Sequence, residues 1–171
     1  QVGALVSKTV TVHPRPGNPP PRIWETPSGM LNSIGLENKG ADYFLAESLP
    51  KMKQMAASGG GVSGSRGPRV IINIGGESID EFVQLAERFS AAGVDALEVN
   101  LSCPNVQEGR LLFSTEPRLT EQAMRAVKRV ATVPVFAKLS PNVTDITEIA
   151  RAAEQGGADG ITAINTLIGM A

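Results

Sequence analysis

The only cysteine of the chain stands in a setting that favours chemistry. Cys103 belongs to the segment Asn-Leu-Ser-Cys-Pro-Asn at residues 100–105, which leaves an apolar run for a polar loop. A lone cysteine is usually an inert core residue, but a partly exposed thiol can act as a nucleophile or a base. Ser102 is a second candidate, although a serine in such a loop more often bonds the turn. We therefore predict that Cys103 is the catalytic residue, in either role.

Two lysines follow apolar, strand-like runs. Lys138 ends the run Val135–Ala137, and Lys8 follows Ala4–Ser7. A lysine at the end of a buried strand needs a wet cavity or an anion for its ammonium group, unless its long side chain reaches past the rim to solvent. We expect both ammonium groups to point into one cavity.

Four asparagines fall at the ends of predicted strands or loops, at positions 32, 73, 100 and 165. An uncharged amide both donates and accepts hydrogen bonds, so several amides around one cavity suit a planar ring with alternating N–H and C=O groups. Each asparagine alone has the alternative role of capping a loop. Together with the two lysines, they predict an anionic, amide-bearing heterocycle as the ligand.

The composition argues against several other classes of function. A net charge of -1 over 171 residues is not that of a nucleic-acid-binding protein. His13 and Cys103, each the only one of its type, cannot supply a zinc site or a Ser-His-Asp triad, so we expect no metal. No run approaches the roughly 20 apolar residues that span a bilayer. The single cysteine excludes an internal disulfide, and we expect a reducing, cytoplasmic location.

From residue 70 onward, short apolar runs alternate with segments in which apolar residues recur at helical spacing. Ser78 and Glu81 have the spacing of a capping box at the start of the first helix. The sequence predicts strands over residues 70–74, 96–101, 133–139 and 160–165. It predicts helices between Ser78 and Gly93, from about Thr120 to Ala131, and between Asp145 and Gly156.

This alternation implies right-handed βαβ crossovers and a parallel sheet, either open and doubly wound or closed into a barrel. Asn73, Asn100, Lys138 and Asn165 end four consecutive strands, as active-site residues do in a (β/α)₈ TIM barrel. An open sheet would concentrate them at one switch point. We therefore predict an α/β protein of the (β/α)₈ type. Such a barrel needs about 250 residues, so the chain covers roughly the first half to two-thirds and is expected to be truncated at both ends.

The first 69 residues have a different organisation. Residues 10–36 are rich in proline and glycine but carry apolar anchors such as Trp24, so we predict an ordered loop over the barrel mouth rather than a flexible linker. Residues 37–55 are predicted to be helical. Residues 57–67 are glycine-rich without the Gly-Lys-Ser/Thr ending of a phosphate loop, and are predicted to form a connection. The prediction is one partial barrel domain over residues 1–171.

Several linked motifs occur in one order along the chain. They are Ser-Lys-Thr-Val-Thr at 7–11, Pro-Arg-Pro-Gly-Asn-Pro at 14–19, Gly-Met-Leu-Asn-Ser-Ile-Gly-Leu at 29–36, Asn-Leu-Ser-Cys-Pro-Asn at 100–105, Ala-Lys-Leu-Ser-Pro-Asn at 137–142 and Ile-Asn-Thr-Leu-Ile-Gly-Met at 164–170. This pattern resembles the class 1 dihydroorotate dehydrogenases, and most closely the NAD-linked 1B type. The resemblance covers nearly the whole chain apart from residues 57–67.

The resemblance implies oxidation of dihydroorotate to orotate in de novo pyrimidine (UMP) biosynthesis. Cys103 would be the base that removes the C5 proton while the C6 hydride passes to FMN. The substrate-binding residues it implies are Lys8, Asn32, Ser33, Ile34, Gly35, Leu36, Asn100, Asn165 and Thr166. The FMN-binding residues it implies are Lys8, Thr9, Asn73, Asn100, Lys138 and Ile164.

In the 1B type, an iron–sulfur flavoprotein subunit passes electrons on to NAD. The resemblance therefore implies that FAD, a [2Fe-2S] cluster and NAD belong to a partner chain, and that the catalytic subunit is a homodimer.

Two alternatives stay open. One is a pyrimidine reductase like the dihydropyrimidine dehydrogenase barrel domain, which shares the Asn-x-Ser-Cys-Pro-Asn loop. The other is an inactive structural fragment. The loop at 107–113 also departs from the family pattern, which bears on how the site is covered.

Overall fold

The computed structural model describes residues 2–58, 67–101 and 113–170. The strands are β1 (Ala4–Val6), β2 (Ile23–Thr26), β3 (Gly29–Asn32), β4 (Arg69–Ile74), β5 (Ala96–Asn100), β6 (Val135–Lys138) and β7 (Gly160–Thr162). The helices are α1 (Gly40–Tyr43), α2 (Leu49–Ser58), α3 (Ile79–Ala91), α4 (Pro117–Val130) and α5 (Ile146–Gln155), and a π-helical turn (Phe44–Ser48) joins α1 to α2.

Five of these strands form one parallel sheet in the order β1-β4-β5-β6-β7. The order follows the chain without a reversal, so the described sheet contains no switch point of the doubly wound kind. A helix follows each of β1, β4, β5 and β6 before the next strand of the sheet, as in a (β/α)₈ barrel. The sheet is a partial (β/α)₈ barrel, which confirms the predicted fold class.

The apolar core lies between the sheet and its helices. Every second residue of a strand faces the helices, and Leu97 and Val99 are fully buried there with Phe82 and Val127. Their neighbours on β5 point to the other face, where Glu98 is buried within the barrel interior. This alternation separates an apolar layer beneath the helices from a polar layer inside the barrel.

The residues 10–36 contain a hairpin that the sequence analysis did not anticipate. Strands β2 and β3 pair antiparallel, with Thr26 opposite Gly29 and Trp24 opposite Leu31. The two residues between the strands include Pro27, whose restricted φ suits a tight turn. The hairpin brings β3 to the carboxyl end of the parallel sheet, next to the cavity described below.

Several predicted boundaries were wrong. Strand β7 ends at Thr162, and residues 163–165 leave the sheet, although the backbone N–H of Asn165 still donates to the carbonyl of Leu139 at 2.9 Å. Helix α4 begins at Pro117 rather than near residue 120, because proline is well suited to the first turn of a helix. The first helical segment runs from Gly40 to Ser58 instead of over residues 37–55.

Half of the predicted capping box at α3 is confirmed, since the backbone N–H of Glu81 donates to the side chain of Ser78, whereas the carboxylate of Glu81 accepts the N–H of Glu77 at 2.7 Å. Most of the predicted glycine-rich connection lies outside the described residues, so the prediction of a single domain with that connection stays a prediction. Among the described helices, none combines the length and the apolar character needed to cross a bilayer.

A repeated carboxylate contact holds neighbouring strands at the amino end of the sheet. The Oδ2 of Asp95, just before β5, accepts the backbone N–H of Val70 on β4 at 2.8 Å. Asp159, just before β7, accepts the N–H of Val135 on β6 at 2.7 Å. The bond from Val70 holds the pKa of Asp95 below its usual value, and the hydrogen bond from Lys128 does the same for the pKa of Asp159.

We expect the double substitution Asp95→Asn and Asp159→Asn to destabilise the full-length protein by about 1 kcal/mol per site at pH 7, a value reduced for partial exposure. Because both folded-state pKa values are lowered, the carboxylates stabilise the fold above the unfolded value of about 3.8 and lose that contribution as the pH falls through the folded values. Urea unfolding at pH 7 and pH 3 measures the effect, and the difference between the two proteins should shrink at pH 3.

Asp80→Asn serves as the control, because Asp80 is exposed in the first turn of α3 and belongs to neither strand contact. A double variant with the same urea midpoint as the Asp80→Asn variant at pH 7 would contradict the proposed stabilisation.

Candidate active site

A cavity of about 440 Å³ opens at the carboxyl end of the parallel sheet, within the size range of ligand sites in proteins. It is formed by residues that end or follow β1, β5, β6 and β7, together with β3 and the segment after it. Its lining residues are Lys8, Thr9, Asn18, Met30, Leu31, Asn32, Ser33, Ile34, Gly35, Leu36, Asn100, Lys138, Asn142, Asn165, Thr166, Leu167, Ile168 and Gly169.

Lys8 and Lys138 both line this cavity, as predicted from their places after apolar runs. Lys138 is half-buried and lies opposite Asn100 in the pairing of β6 with β5. Within the described part of the chain, neither lysine has a carboxylate within ion-pair distance, and both contribute positive charge to the cavity. Two cations with no ion-pair partner among the described residues favour an anionic ligand.

A chain of amide hydrogen bonds crosses the floor of the cavity. The side chain of Asn100 is buried, and its Nδ2 donates to Thr9 Oγ1 at 3.2 Å. Asn165 Nδ2 donates to Asn100 Oδ1 at 3.1 Å, and Asn165 Oδ1 accepts the backbone N–H of Thr166 at 2.8 Å. These bonds fix which way each amide faces, so the ends of β1, β5 and β7 present an ordered polar surface.

The loop at 33–36 lines the cavity with backbone in an unusual conformation. Gly35 and Leu36 both have positive φ values, 75° and 56°, and this conformation costs a residue with a side chain about 1 kcal/mol or more. A side chain at position 35 would come within 2.9 Å of the backbone nitrogen of Asn18, so the position needs glycine. The loop therefore stays in place only because its neighbours hold it.

Two asparagines hold this loop by donating hydrogen bonds to its backbone carbonyl oxygens. Asn18 donates two hydrogen bonds to the loop. Its backbone N–H donates to Ile34 O at 3.0 Å, and its Nδ2 donates to Ser33 O at 2.7 Å. Asn38 Nδ2 donates to Leu36 O at 2.8 Å, while its Oδ1 accepts the backbone N–H of Gly40 at 2.9 Å. Since both bind carbonyl oxygens of the loop, its conformation is fixed at either end.

Asn73 lies deeper than the sequence analysis supposed. It is 2% exposed and does not line the cavity, and its Nδ2 donates to the carboxylate of Glu98 inside the barrel. Thr162 Oγ1 donates to the other oxygen of that carboxylate at 2.8 Å. Within the described residues, Asn73 Oδ1 is buried without a hydrogen-bond partner. Asn73 is therefore part of the polar layer beneath the cavity rather than of its rim.

The remaining predicted residues divide into three groups. Asn32, Ser33, Ile34, Gly35, Leu36, Thr9 and Thr166 line the cavity. Ile164 is half-exposed and does not line it. Cys103 and Ser102 lie outside the described residues. No group of three His, Cys, Asp or Glu side chains suited to a metal occurs in the described ranges.

Several residues that line the cavity were not predicted from the sequence. They are chiefly Asn18, Asn142 and the apolar residues of the hairpin and of the segment after Thr166. Asn18 and Asn142 both stand in motifs that the sequence analysis used, directly after Gly17 and Pro141. An asparagine after a turn-forming residue was a usable signal, because its amide can bond neighbouring backbone. The apolar residues gave no such signal, since their exposure depends on the tertiary fold.

Comparison with known proteins identifies relatives of the chain. The family model described as "Dihydroorotate dehydrogenase" matches residues 1–171. A protein of Anoxybacillus flavithermus is 50% identical over 170 residues, covering 99% of this chain and 51% of its own length. One of Desulforamulus reducens is 50% identical over 172 residues, covering 100% of this chain and 53% of its own. Both are named "Dihydroorotate dehydrogenase B (NAD(+)), catalytic subunit". The chain spans about half the length of the relatives it matches.

The loop at 33–36 yields a prediction about Asn38. Asn38→Ala removes the hydrogen bonds to Leu36, Gly40 and Thr11 and leaves the strained loop without one of its two supports, so we expect a loss of about 2 kcal/mol in the free energy of unfolding. Asn38→Asp keeps the acceptor for the N–H of Gly40 but loses the donor to Leu36, and should be intermediate. Urea unfolding of the full-length protein measures both. An Ala variant as stable as the natural protein would show that the loop does not depend on Asn38.

Proposed function

The chain belongs to the dihydroorotate dehydrogenase family, and from this we propose that the protein containing it oxidises dihydroorotate to orotate in de novo pyrimidine synthesis. The observation that carries the proposal is the convergence of Lys8, Lys138, Asn100 and Asn165 on one cavity at the carboxyl end of the sheet. Cations and ordered amides around one cavity suit an anionic ring that bears N–H and C=O groups. Orotate and dihydroorotate are rings of this kind.

The substrate would be held from three sides. Lys8 contributes the cation for the ring carboxylate. Asn32, Asn100 and Asn165 contribute amide groups for the ring edges, and Thr166 adds a hydroxyl. The strained loop at 33–36 lines the cavity, where its backbone N–H groups would bind ligand oxygens. Because Asn18 and Asn38 fix this loop, little ordering is needed on binding, which favours affinity.

Members of the family are flavin-dependent, and we infer that FMN is the flavin of this protein. The residues that would hold it are Lys8, Thr9, Asn73, Asn100, Lys138 and Ile164. The half-buried Lys138 fits this role, since a cation with no ion-pair partner among the described residues suits the electron-rich edge of a flavin. The orphaned Oδ1 of Asn73 is an acceptor for which the described residues supply no donor. When bound, the flavin supplies the acceptor for the hydride from C6.

Cys103 would take the proton from C5, whose acidity is raised by the neighbouring ring carbonyl. The thiolate would remove the C5 proton as the hydride leaves C6. Loss of both hydrogens leaves the C5=C6 double bond of orotate. Cys103 stands three residues after Asn100, which ends β5 and lines the cavity. That place in the sequence supports the assignment, which stays a prediction.

The relatives carry the words "NAD(+)" and "catalytic subunit" in their names. We infer that this protein likewise works with an electron-transfer subunit that holds FAD and a [2Fe-2S] cluster, and that it forms a homodimer. The chain itself has one cysteine, whereas such clusters are usually held by four. The cluster therefore belongs to another chain or to a segment beyond this one.

Anaerobic single-turnover bleaching of the flavin absorbance tests the reaction in the full-length protein reconstituted with FMN. We expect dihydroorotate to bleach the flavin rapidly, and Cys103→Ala to slow bleaching by roughly 10²- to 10⁴-fold, the usual range for loss of a general base. Cys103→Ser is the matched variant, because it keeps a weaker base of similar size and should be slow but not inert.

The same measurement discriminates the alternatives. Flavin that dihydrouracil bleaches and dihydroorotate does not would contradict the proposal in favour of a pyrimidine reductase. Bound flavin that neither substrate bleaches would favour an inactive fragment.

A further inference from the structure

The strongest feature outside the assigned site residues is the side chain of Asn142, in the loop after β6. Its Nδ2 donates to Thr166 O at 3.0 Å, and its Oδ1 accepts the backbone N–H of Ile168 at 2.9 Å. Nδ2 also donates to Ser140 Oγ at 3.0 Å, which in turn accepts the backbone N–H of Asn142 at 3.1 Å. One amide thus bonds the segment after β7 at two points.

The hydrogen-bond capacity of Asn142 is nearly used up within the protein. A primary amide has two N–H hydrogens, and here they go to Thr166 and Ser140. Although Asn142 lines the cavity, it has no N–H left for a ligand. Its place at the site therefore points to a structural role toward the loop rather than a direct contact with substrate.

Within the described residues, hydrogen bonds rather than apolar burial hold the segment at 163–168. Its apolar side chains are exposed, Leu167 by 73% and Ile168 by 77%, so burial contributes little to its order. Besides the bonds from Asn142, the backbone N–H of Asn165 donates to Leu139 O at 2.9 Å, and its Nδ2 donates to Asn100 Oδ1 at 3.1 Å. The bonds to Leu139 and Asn142 join this segment to the loop after β6.

We propose that Asn142 is a positioning residue for substrate binding, which locks the loop carrying Asn165 and Thr166 to the strand end carrying Lys138. This inference rests on the proposed function, in which Asn165 and Thr166 bind the orotate ring and Lys138 binds the flavin. By joining the two loops, Asn142 fixes the positions of Asn165 and Thr166, which would bind the substrate, relative to Lys138, which would bind the flavin. Its loss weakens substrate binding more than it slows the chemical step.

The choice of asparagine follows from the two bonds. In Asn142→Asp, a carboxylate oxygen would replace the donor that faces Thr166 O at 3.0 Å and would repel it, while the acceptor for Ile168 N–H remains. In Asn142→Ala both bonds are lost. Asp145→Ala is the matched control, because Asp145 caps α5 three residues later and bonds only Thr147 among the described residues.

Amide hydrogen exchange tests the contact without reference to activity. In the full-length protein, we expect the Ile168 amide to exchange roughly tenfold faster in Asn142→Ala, and to keep most of its protection in Asn142→Asp and Asp145→Ala. Unchanged exchange at Ile168 in the Ala variant would overturn the inference.

Orotate binding to the FMN-loaded protein tests the consequence. We expect Kd for orotate and KM for dihydroorotate to rise roughly tenfold in Asn142→Asp and Asn142→Ala, with flavin bleaching at saturating dihydroorotate changed less than about threefold. Asp145→Ala should leave all three values unchanged. Variants with natural orotate affinity would overturn the proposed role.

The two proposals fail in different ways. If the natural protein does not bind orotate, this result contradicts both the proposed function and the substrate role of Asn142. If the natural protein binds orotate and the variants bind it equally well, this result contradicts only the role of Asn142.

Discussion

The cavity depends on the parallel pairing of β5 with β6 and of β6 with β7. That pairing sets Asn100 beside Lys138, and Lys138 beside Thr162, at one edge of the sheet. Because side chains alternate along a strand, the residues that face the barrel interior cannot also join the apolar layer under the helices. A slip of one residue in β6 would turn Lys138 into the core and remove a cation from the site.

Asparagine has two distinct tasks around this edge. Asn100 and Asn165 bond each other and present amide groups to the cavity. Asn18, Asn38 and Asn142 bond backbone carbonyl groups and hold the loops that carry ligand-facing residues. We propose that the same amide chemistry supplies both recognition and rigidity, so that a pocket made largely of loops is ordered before a ligand binds.

The sequence predicted the parallel sheet well from residue 70 onward, because apolar strand runs there alternate with amphipathic helices and that pattern depends on local residues. The positions of Lys8 and Lys138 were predictable for the same reason, since each follows such a run. Asn73 was predicted to lie around the cavity with three other asparagines, but its place beneath the cavity depends on Glu98 and Thr162, which are distant in sequence. The roles of Asn18 and Asn142 also depend on loops brought together by the fold.

We propose that this cavity selects a ring by its negative charge as well as by its amide edges. Calorimetric titration of the FMN-loaded full-length protein with orotate and with uracil, which lacks the carboxylate, tests it most directly. We predict that orotate binds at least about 100-fold more tightly than uracil, and that Lys8→Met removes most of this difference. Equal affinity for the two rings in the natural protein would contradict the account.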